Sequence, residues 1–504
     1  MSMNPSVTIR RLATGVPGLD EILGGGLPEF SFNLISGAPG SGKTTLAHQI
    51  MFALATPERP ALFITVLGEP PLKMLRYQQQ FSFFDSARIG DSVRFVNLND
   101  ELATGDFEQV LERITLEVAS TSPALVFVDS FRAVLLDAAR SGAQSGNLQH
   151  FVQQLGVQLS AWQATTFLIG EYQAPTDDHP VFTVADGLLA LRQTVHRNSM
   201  VRQIQILKMR GQATSPGVHT FRITGAGVEI FPSAIVRDDS VNTADRSPSP
   251  ARGGRRMTMG VPRLDAMLGG GLPAGFSLLV AGPSGSGKTL LATAFLAEGV
   301  RCGEPGVMVA FEQTPSQSLN PAIDDMVRAG TIGLINTRSM DLSIDEIVHH
   351  LIGMIRRMRA RRIVIDSLSG FELAVAPAFR EDFRESLFRM VAALSSMGVT
   401  VLVTSELEDR YTDLRFSPYG SAFLTDAIIV QRYIEIESGL QRVLAVVKVR
   451  DSPHSSEIRQ FTITGGGIVI GDPLQGYEGL LGGSPQHATE RPDGAKRRAT
   501  APLL

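Results

Sequence analysis

Gly37-Ala38-Pro39-Gly40-Ser41-Gly42-Lys43-Thr44 decides how this chain reads. It matches G-x-x-x-x-G-K-[ST] in full, and its flanks are those that a phosphate loop needs. Before it, Phe32-Asn33-Leu34-Ile35-Ser36 is an apolar run that predicts a buried strand. After it, Thr45-Leu46-Ala47-His48-Gln49-Ile50-Met51 is compatible with a helix. Strand, glycine-rich turn and helix N-terminus together make a phosphate cradle. Backbone N–H groups can approach the phosphates, Lys43 can neutralise the terminal ones, and the Thr44 hydroxyl can hold Mg²⁺.

The same stretch occurs again as Gly282-Pro283-Ser284-Gly285-Ser286-Gly287-Lys288-Thr289, continued by Leu290 as the first loop is by Thr45. The offset between the two loops is 245 residues. A second pair of motifs keeps that offset: Gly15-Val16-Pro17-Gly18-Leu19-Asp20 with Gly24-Gly25-Gly26, and Gly260-Val261-Pro262-Arg263-Leu264-Asp265 with Gly269-Gly270-Gly271. A constant offset over such a span means a duplicated domain. The boundaries predicted are 1–235 and 257–485 for the two copies, a flexible linker over 236–256, and a polar, disordered tail over 486–504.

Length and composition agree with this plan. The 504 residues suit two or three domains, and the net charge of −4 supplies no basic field for nucleic acid. The single cysteine, Cys302, excludes an internal disulfide framework and fits a reducing compartment. The histidines have no metal-ligand spacing; His349-His350 reads as a solvated helix pair. With no signal-peptide pattern and no bilayer-length apolar run, the expected location is the cytoplasm, with no membrane partner.

Each copy alternates apolar strands with helical segments, which predicts an α/β fold with a mainly parallel sheet covered on both faces. In the first copy the strands are Ala61–Val66, Ala124–Val128 and Thr166–Ile169. Short strands follow from about Asp186, so an antiparallel extension is expected. Asp129 and Asp366 each end an apolar strand at the carboxyl edge of the sheet, where ligands bind. Each is a candidate Mg²⁺ ligand beside Thr44 or Thr289.

The copies differ where hydrolysis needs a group to activate water. Phe311-Glu312-Gln313-Thr314-Pro315 places a carboxylate beside the second phosphate loop. In the first copy Leu67 stands at the position of Glu312, and Glu69 lies two residues on. The catalytic candidates are therefore Glu312, Lys43 and Lys288. Each copy also ends in a basic pair on one strand face, Lys208 with Arg210 and Lys448 with Arg450. Charge placed identically twice suggests a phosphate target, in the manner of an arginine finger.

Together these residues resemble the KaiC family of the RecA/RadA/DnaB-like P-loop ATPases, from Thr14 to about Pro485. Tyr477-Glu478-Gly479 and Gly482-x-Ser484-Pro485 also resemble the start of that family's C-terminal segment. The resemblance implies two tandem RecA-like P-loop NTPase domains and a double-ring homohexamer with ATP at the subunit interfaces. It further implies that Lys208, Arg210, Lys448 and Arg450 reach the neighbour's nucleotide, and that ATP is hydrolysed. Clock-type members also phosphorylate themselves at adjacent Ser-Thr positions before a Thr-Asp step. Here the step is Thr425-Asp426, the matching positions are Ala422-Phe423, and Ser421 and Thr425 are the nearby hydroxyls. The family's paired glutamates are Leu67-Gly68 and Glu312-Gln313. The leading expectation is an ATP-driven signalling switch with hydrolysis in the second copy. A serine/threonine autokinase, a DNA-dependent motor and a nucleotide-held scaffold stand as alternatives.

Overall fold

The computed structural model describes residues 9–65, 71–98, 107–129, 154–155, 157–158, 162–171, 180–196, 199–233, 254–311, 321–336, 343–375, 379–380, 383–407, 425–436, 438–478 and 486–487. The chain forms two compact units, the bulk of one running through Ala234 and the bulk of the other following from Ile235.

The first unit is built on nine strands: β1 (Phe32–Gly37), β2 (Ala61–Thr65), β3 (Val93–Asn97), β4 (Leu125–Asp129), β5 (Thr165–Gly170), β6 (Gly187–His196), β7 (Ser199–Met209), β8 (Val218–Thr224) and β9 (Gly227–Phe231). Their order across the sheet is 3-2-4-5-1-6-7-8-9. The strands from β3 to β6 run parallel, and β7, β8 and β9 extend the sheet antiparallel, as the change of pattern near Asp186 predicts.

The parallel strands are apolar throughout because both faces are buried. In β2, Ala61 and Phe63 join one core cluster while Leu62 and Ile64 join the other. β4 divides in the same way, with Leu125 and Phe127 on one side and Val126 and Val128 on the other. Successive strand side chains point to opposite faces, so a helix layer on each side turns alternation into a continuous run. Helix α1 (Lys43–Leu54) covers the first face, where Phe63, Phe127 and Phe167 stack across neighbouring strands at centroid distances of 5.9 and 4.6 Å. Full burial of each ring contributes about 2–3 kcal/mol.

The second unit repeats the plan: β10 (Ser277–Gly282), β11 (Gly306–Ala310), β12 (Ile332–Asn336), β13 (Arg362–Asp366), β14 (Thr400–Glu406), β15 (Ala427–Ile436), β16 (Gly439–Val449), β17 (Arg459–Thr464) and β18 (Gly467–Pro473). Its order, 12-11-13-14-10-15-16-17-18, is that of the first unit strand for strand. Helix α2 (Lys288–Arg301) is the counterpart of α1.

The repeated Gly-Val-Pro-x-Leu-Asp motif is structural. Asp20 Oδ1 accepts from the Thr14 N–H at 2.9 Å, and Asp265 Oδ1 from the Met259 N–H at 2.6 Å. In both copies the same aspartate's carbonyl accepts from a following glycine, Gly25 or Gly270, at 2.7 Å. The carboxylate thus closes the loop that leads to the sheet. The expected linker is outside the described residues up to 253, and Arg256–Met257 pairs with Leu272–Pro273. Of the expected tail only Gln486–His487 is described, and it pairs with Tyr477–Glu478. Among the described residues no helix is long and apolar enough to cross a membrane.

Candidate active site

β1 and β10 each run into a phosphate loop, and each loop runs into a helix that starts at the lysine. Gly40 and Gly42 have φ of 74° and 98°; Gly285 and Gly287 have 73° and 99°. Only glycine enters this left-handed region at little cost, and the same backbone is therefore built twice. The ammonium of Lys43 donates to the Gly37 and Ala38 carbonyls, both at 2.9 Å. Lys288 donates to the Gly282 and Pro283 carbonyls at 2.8 and 2.7 Å. Ala38, Pro39, Ser284 and Gly285 are exposed, whereas Ser41 and Ser286 are buried beneath the loop.

The expected metal ligands meet. Thr44 Oγ1 donates to Asp129 Oδ2 at 2.7 Å, and Thr289 Oγ1 donates to Asp366 Oδ2 at 2.7 Å. A hydroxyl and a carboxylate at the N-terminus of a phosphate-loop helix are the hard oxygen donors that Mg²⁺ takes, so the residues present fit that ion. In the second unit Thr404 also donates to Asp366 Oδ1. Ile169 holds the corresponding register position in β5, so this bond belongs to the second unit.

Two carboxylates that sequence reasoning passed over join the site. Burial pushes the Lys43 ammonium below its ordinary pKa, and Glu171, then Asp129, pull it back up. Lys288 is lowered by burial in the same way, against Glu406 and then Asp366. Glu171 follows the last residue of β5, and Glu406 is the last of β14. Each of these strands lies directly beside the phosphate-loop strand, and Glu406 pairs with Gly282. The signal was available: a glutamate closes the same apolar strand in both copies.

The basic pairs lie elsewhere. Lys208 pairs with Leu188 near the start of β6, and the Arg210 N–H donates to the Asp186 carbonyl. Asp186 in turn donates to the carbonyl of Phe32, the first residue of β1. The cradle begins at Gly37, the last residue of that strand. Five steps of about 3.3 Å put roughly 16 Å between the pair and its own cradle. The second unit repeats this, with Lys448 opposite Ile428 and Arg450 on Asp426, whose N–H donates to the Ser277 carbonyl. Lys208 Nζ donates to the Phe182 and Thr183 carbonyls, and Lys448 Nζ to the Thr425 carbonyl. Burial, and then the neighbouring arginine, push both lysines below their ordinary pKa.

Glu312, Leu67, Glu69 and Ser421 lie outside the described residues. Phe311, which precedes Glu312, is buried and stacks on Phe371 at 4.6 Å, and its N–H donates to the Asp366 carbonyl. That bond ties the chain leading into Glu312 to the strand of the candidate metal ligand. The Thr425 side chain is buried.

A family model described as "ATPase: KaiC" matches residues 12–235 and again 257–475. Among curated proteins, the chain is 28% identical over 491 residues to the circadian clock oscillator protein KaiC of Picosynechococcus sp., covering 95% of this chain and 92% of that protein. It is 29% identical over 503 residues to the protein of the same description from Rippkaea orientalis, covering 96% and 93%. It is 28% identical over 495 residues to circadian clock oscillator protein KaiC 1 of Synechocystis sp., covering 95% and 93%.

Proposed function

The chain belongs to the KaiC ATPase family, and from that premise we propose that it is a homohexameric switch that binds Mg²⁺–ATP between copies and hydrolyses it chiefly in the second unit. The observation that carries the reading is the separation inside each unit. The phosphate loop ends the first strand of the sheet, and the Lys-x-Arg pair sits at that strand's beginning. A cation roughly 16 Å from its own cradle serves a phosphate only if another copy brings one to it.

Within a site, the loop's backbone and Lys43 or Lys288 hold the phosphates. Thr44 with Asp129, or Thr289 with Asp366, would hold Mg²⁺, which would supply charge neutralisation between the terminal phosphates. Glu312 takes the proton of the attacking water in the second unit. Leu67 can neither accept a proton nor orient water, so the first unit holds ATP as a platform. Kinship with proteins described as clock oscillators supports a signalling role for the switch, and we take it to act in the cytoplasm with protein partners.

The test is phosphate release from Mg²⁺–ATP by the full chain beside Glu312→Gln and Lys43→Ala. Glu312→Gln should abolish turnover, and Lys43→Ala should lose ATP-dependent assembly. Full activity in Glu312→Gln would remove the assignment and make Glu69 or Glu171 the residue to examine. The autokinase reading has the buried Thr425 side chain against it. Phosphopeptides at Ser421 or Thr425 after incubation with ATP would restore it. The DNA-motor reading would need DNA-stimulated, salt-sensitive turnover.

A further inference from the structure

In both units one aspartate joins the basic pair to the strand that carries the phosphate loop. Asp186 Oδ1 accepts from Arg210 Nη1 at 3.0 Å, and its Oδ2 accepts from the Phe32 N–H at 3.1 Å. Asp426 Oδ1 accepts from Arg450 Nη1 at 3.1 Å, and its Oδ2 accepts from the Ser277 N–H at 3.0 Å and the Ser277 hydroxyl at 2.9 Å. The arginine's own N–H donates to the same aspartate's carbonyl, at 3.0 Å in the first unit and 2.8 Å in the second. The carboxylates are partly buried, with 29% and 21% of the side chain exposed, while Arg210 and Arg450 keep 60% and 54%.

This arrangement exceeds what a surface ion pair needs. A flexible arginine in water gains little from one carboxylate. Here the carboxylate is itself fixed by a backbone N–H of a central strand, so the guanidinium is held at a set place on the sheet. Arginine has five N–H donors in a planar fork. The aspartate takes one of them through Nη1, and more than half of each arginine side chain stays exposed, with donors left for a phosphate.

We propose that Asp186 and Asp426 are positioning residues that hold Arg210 and Arg450 in the orientation used on a neighbouring copy's terminal phosphate. This rests on the proposed assembly with nucleotide between copies. In the second unit a held guanidinium loses less freedom when it meets the transition state, and that gain appears in kcat and not in ATP binding. The aspartate touches neither nucleotide nor water; it acts through the arginine.

The experiment uses full-length chains. Asp426→Asn keeps an oxygen for Ser277 and loses the charge that holds Arg450. It should assemble with ATP as the unmodified protein does, show an unchanged KM for ATP, and lose about 10-fold to 100-fold in kcat, the scale on which supporting partners act. The decisive arm mixes two damaged proteins. Lys288→Ala chains have a dead cradle and an intact Asp426–Arg450 pair; Asp426→Asn chains have the reverse. Mixed assemblies should turn over ATP faster than either protein alone. If the unmodified protein is active and the mixture shows no rescue, Asp426 serves its own cradle through Ser277, and the inference is wrong. If the unmodified protein shows no turnover at all, the hydrolysis reading fails and this inference with it. Asp186→Asn is the second variant; the first unit holds ATP without turnover, so its readout is ATP-dependent assembly, which should need several-fold more ATP than in the unmodified protein, and unchanged assembly would remove Asp186 from the inference.

Discussion

The two units agree to within a degree in φ at Gly40 and Gly285 and at Gly42 and Gly287, and their threonine–aspartate bonds are both 2.7 Å. Beneath that shared surface they are different proteins. Ser286 Oγ donates to Gln431 Oε1 at 3.0 Å, whereas Leu191 stands at the matching place and the buried Ser41 hydroxyl has no hydrogen-bond partner among the described residues. Position 48 in α1 is a buried histidine and position 293 in α2 a threonine. The base of β4 is Leu125, and the base of β13 is Arg362, with 1% of its side chain exposed. The cradle is a backbone object and is conserved between copies by glycine. The chemistry around it is a side-chain object and is free to diverge. Binding and turnover can therefore be separated between the units without changing the loop.

The largest effect should come from the residue that separates the copies most. Glu312→Gln should lower phosphate release by about 10²–10⁴-fold, the usual contribution of a positioned base. The reciprocal change, Leu67→Glu in a Lys288→Ala background, should raise the residual turnover. A Leu67→Glu chain no more active than its background would show that the first unit lacks more than a carboxylate.

Arg362 comes next. Its Nε donates to Glu304 at 2.8 Å, its Nη1 donates to the Thr258 and Phe295 carbonyls at 2.6 and 3.0 Å, and its guanidinium lies over the Phe295 ring. Arg255 also pairs with Glu304. Arg362→Leu copies the first unit but leaves Glu304 buried with only part of its compensation. The expected cost is about 3 kcal/mol in the second unit's unfolding transition. Adding Glu304→Gln should return most of it. Equal losses in the single and double variants would mean that packing on Phe295, not charge, decides the cost.

His48 makes the first unit sensitive to acid. It packs on Phe63 at 4.5 Å, and burial pushes its pKa from 6.5 down to about 4. The unfolded chain therefore binds a proton between those values that the folded chain does not. The stabilisation is complete above pH 6.5 and is lost as the pH falls towards 4, by about 1.4 kcal/mol per unit and roughly 3 kcal/mol in all. Denaturant titrations at pH 7 and pH 5 should show the first unit losing stability that the second, with Thr293, keeps. His48→Leu should remove the difference.

The smallest effect belongs to Gln431→Leu. It leaves Ser286 in the state in which Ser41 already stands, and the second unit should lose about 1 kcal/mol. A much larger loss would mean that the loop itself depends on this bond.

The fold was legible because its determinants are local and repeated. Continuous apolar strands, glycines at the turn and one fixed offset lead to a doubled parallel sheet, and the two sheets have the same strand order. The meeting of Thr44 with Asp129 was legible for the same reason, since Asp129 closes a strand and Thr44 opens a helix at the same edge. Glu171 and Glu406 were overlooked because a glutamate after a strand reads as surface until the neighbouring strand is known. The grip of Asp186 and Asp426 on the arginines was out of reach, since it joins residues 24 apart through a backbone N–H a further 154 or 149 residues away.

The five-residue separation along β1 and β10 also has a consequence for dose. Under the proposed assembly each chain owns two half-sites of opposite kind in each unit and no whole one. Specific activity is then a property of concentration. Diluted below its dissociation constant, the protein should fall silent chain by chain while remaining fully folded, and a cell could set its output by how much of it is made.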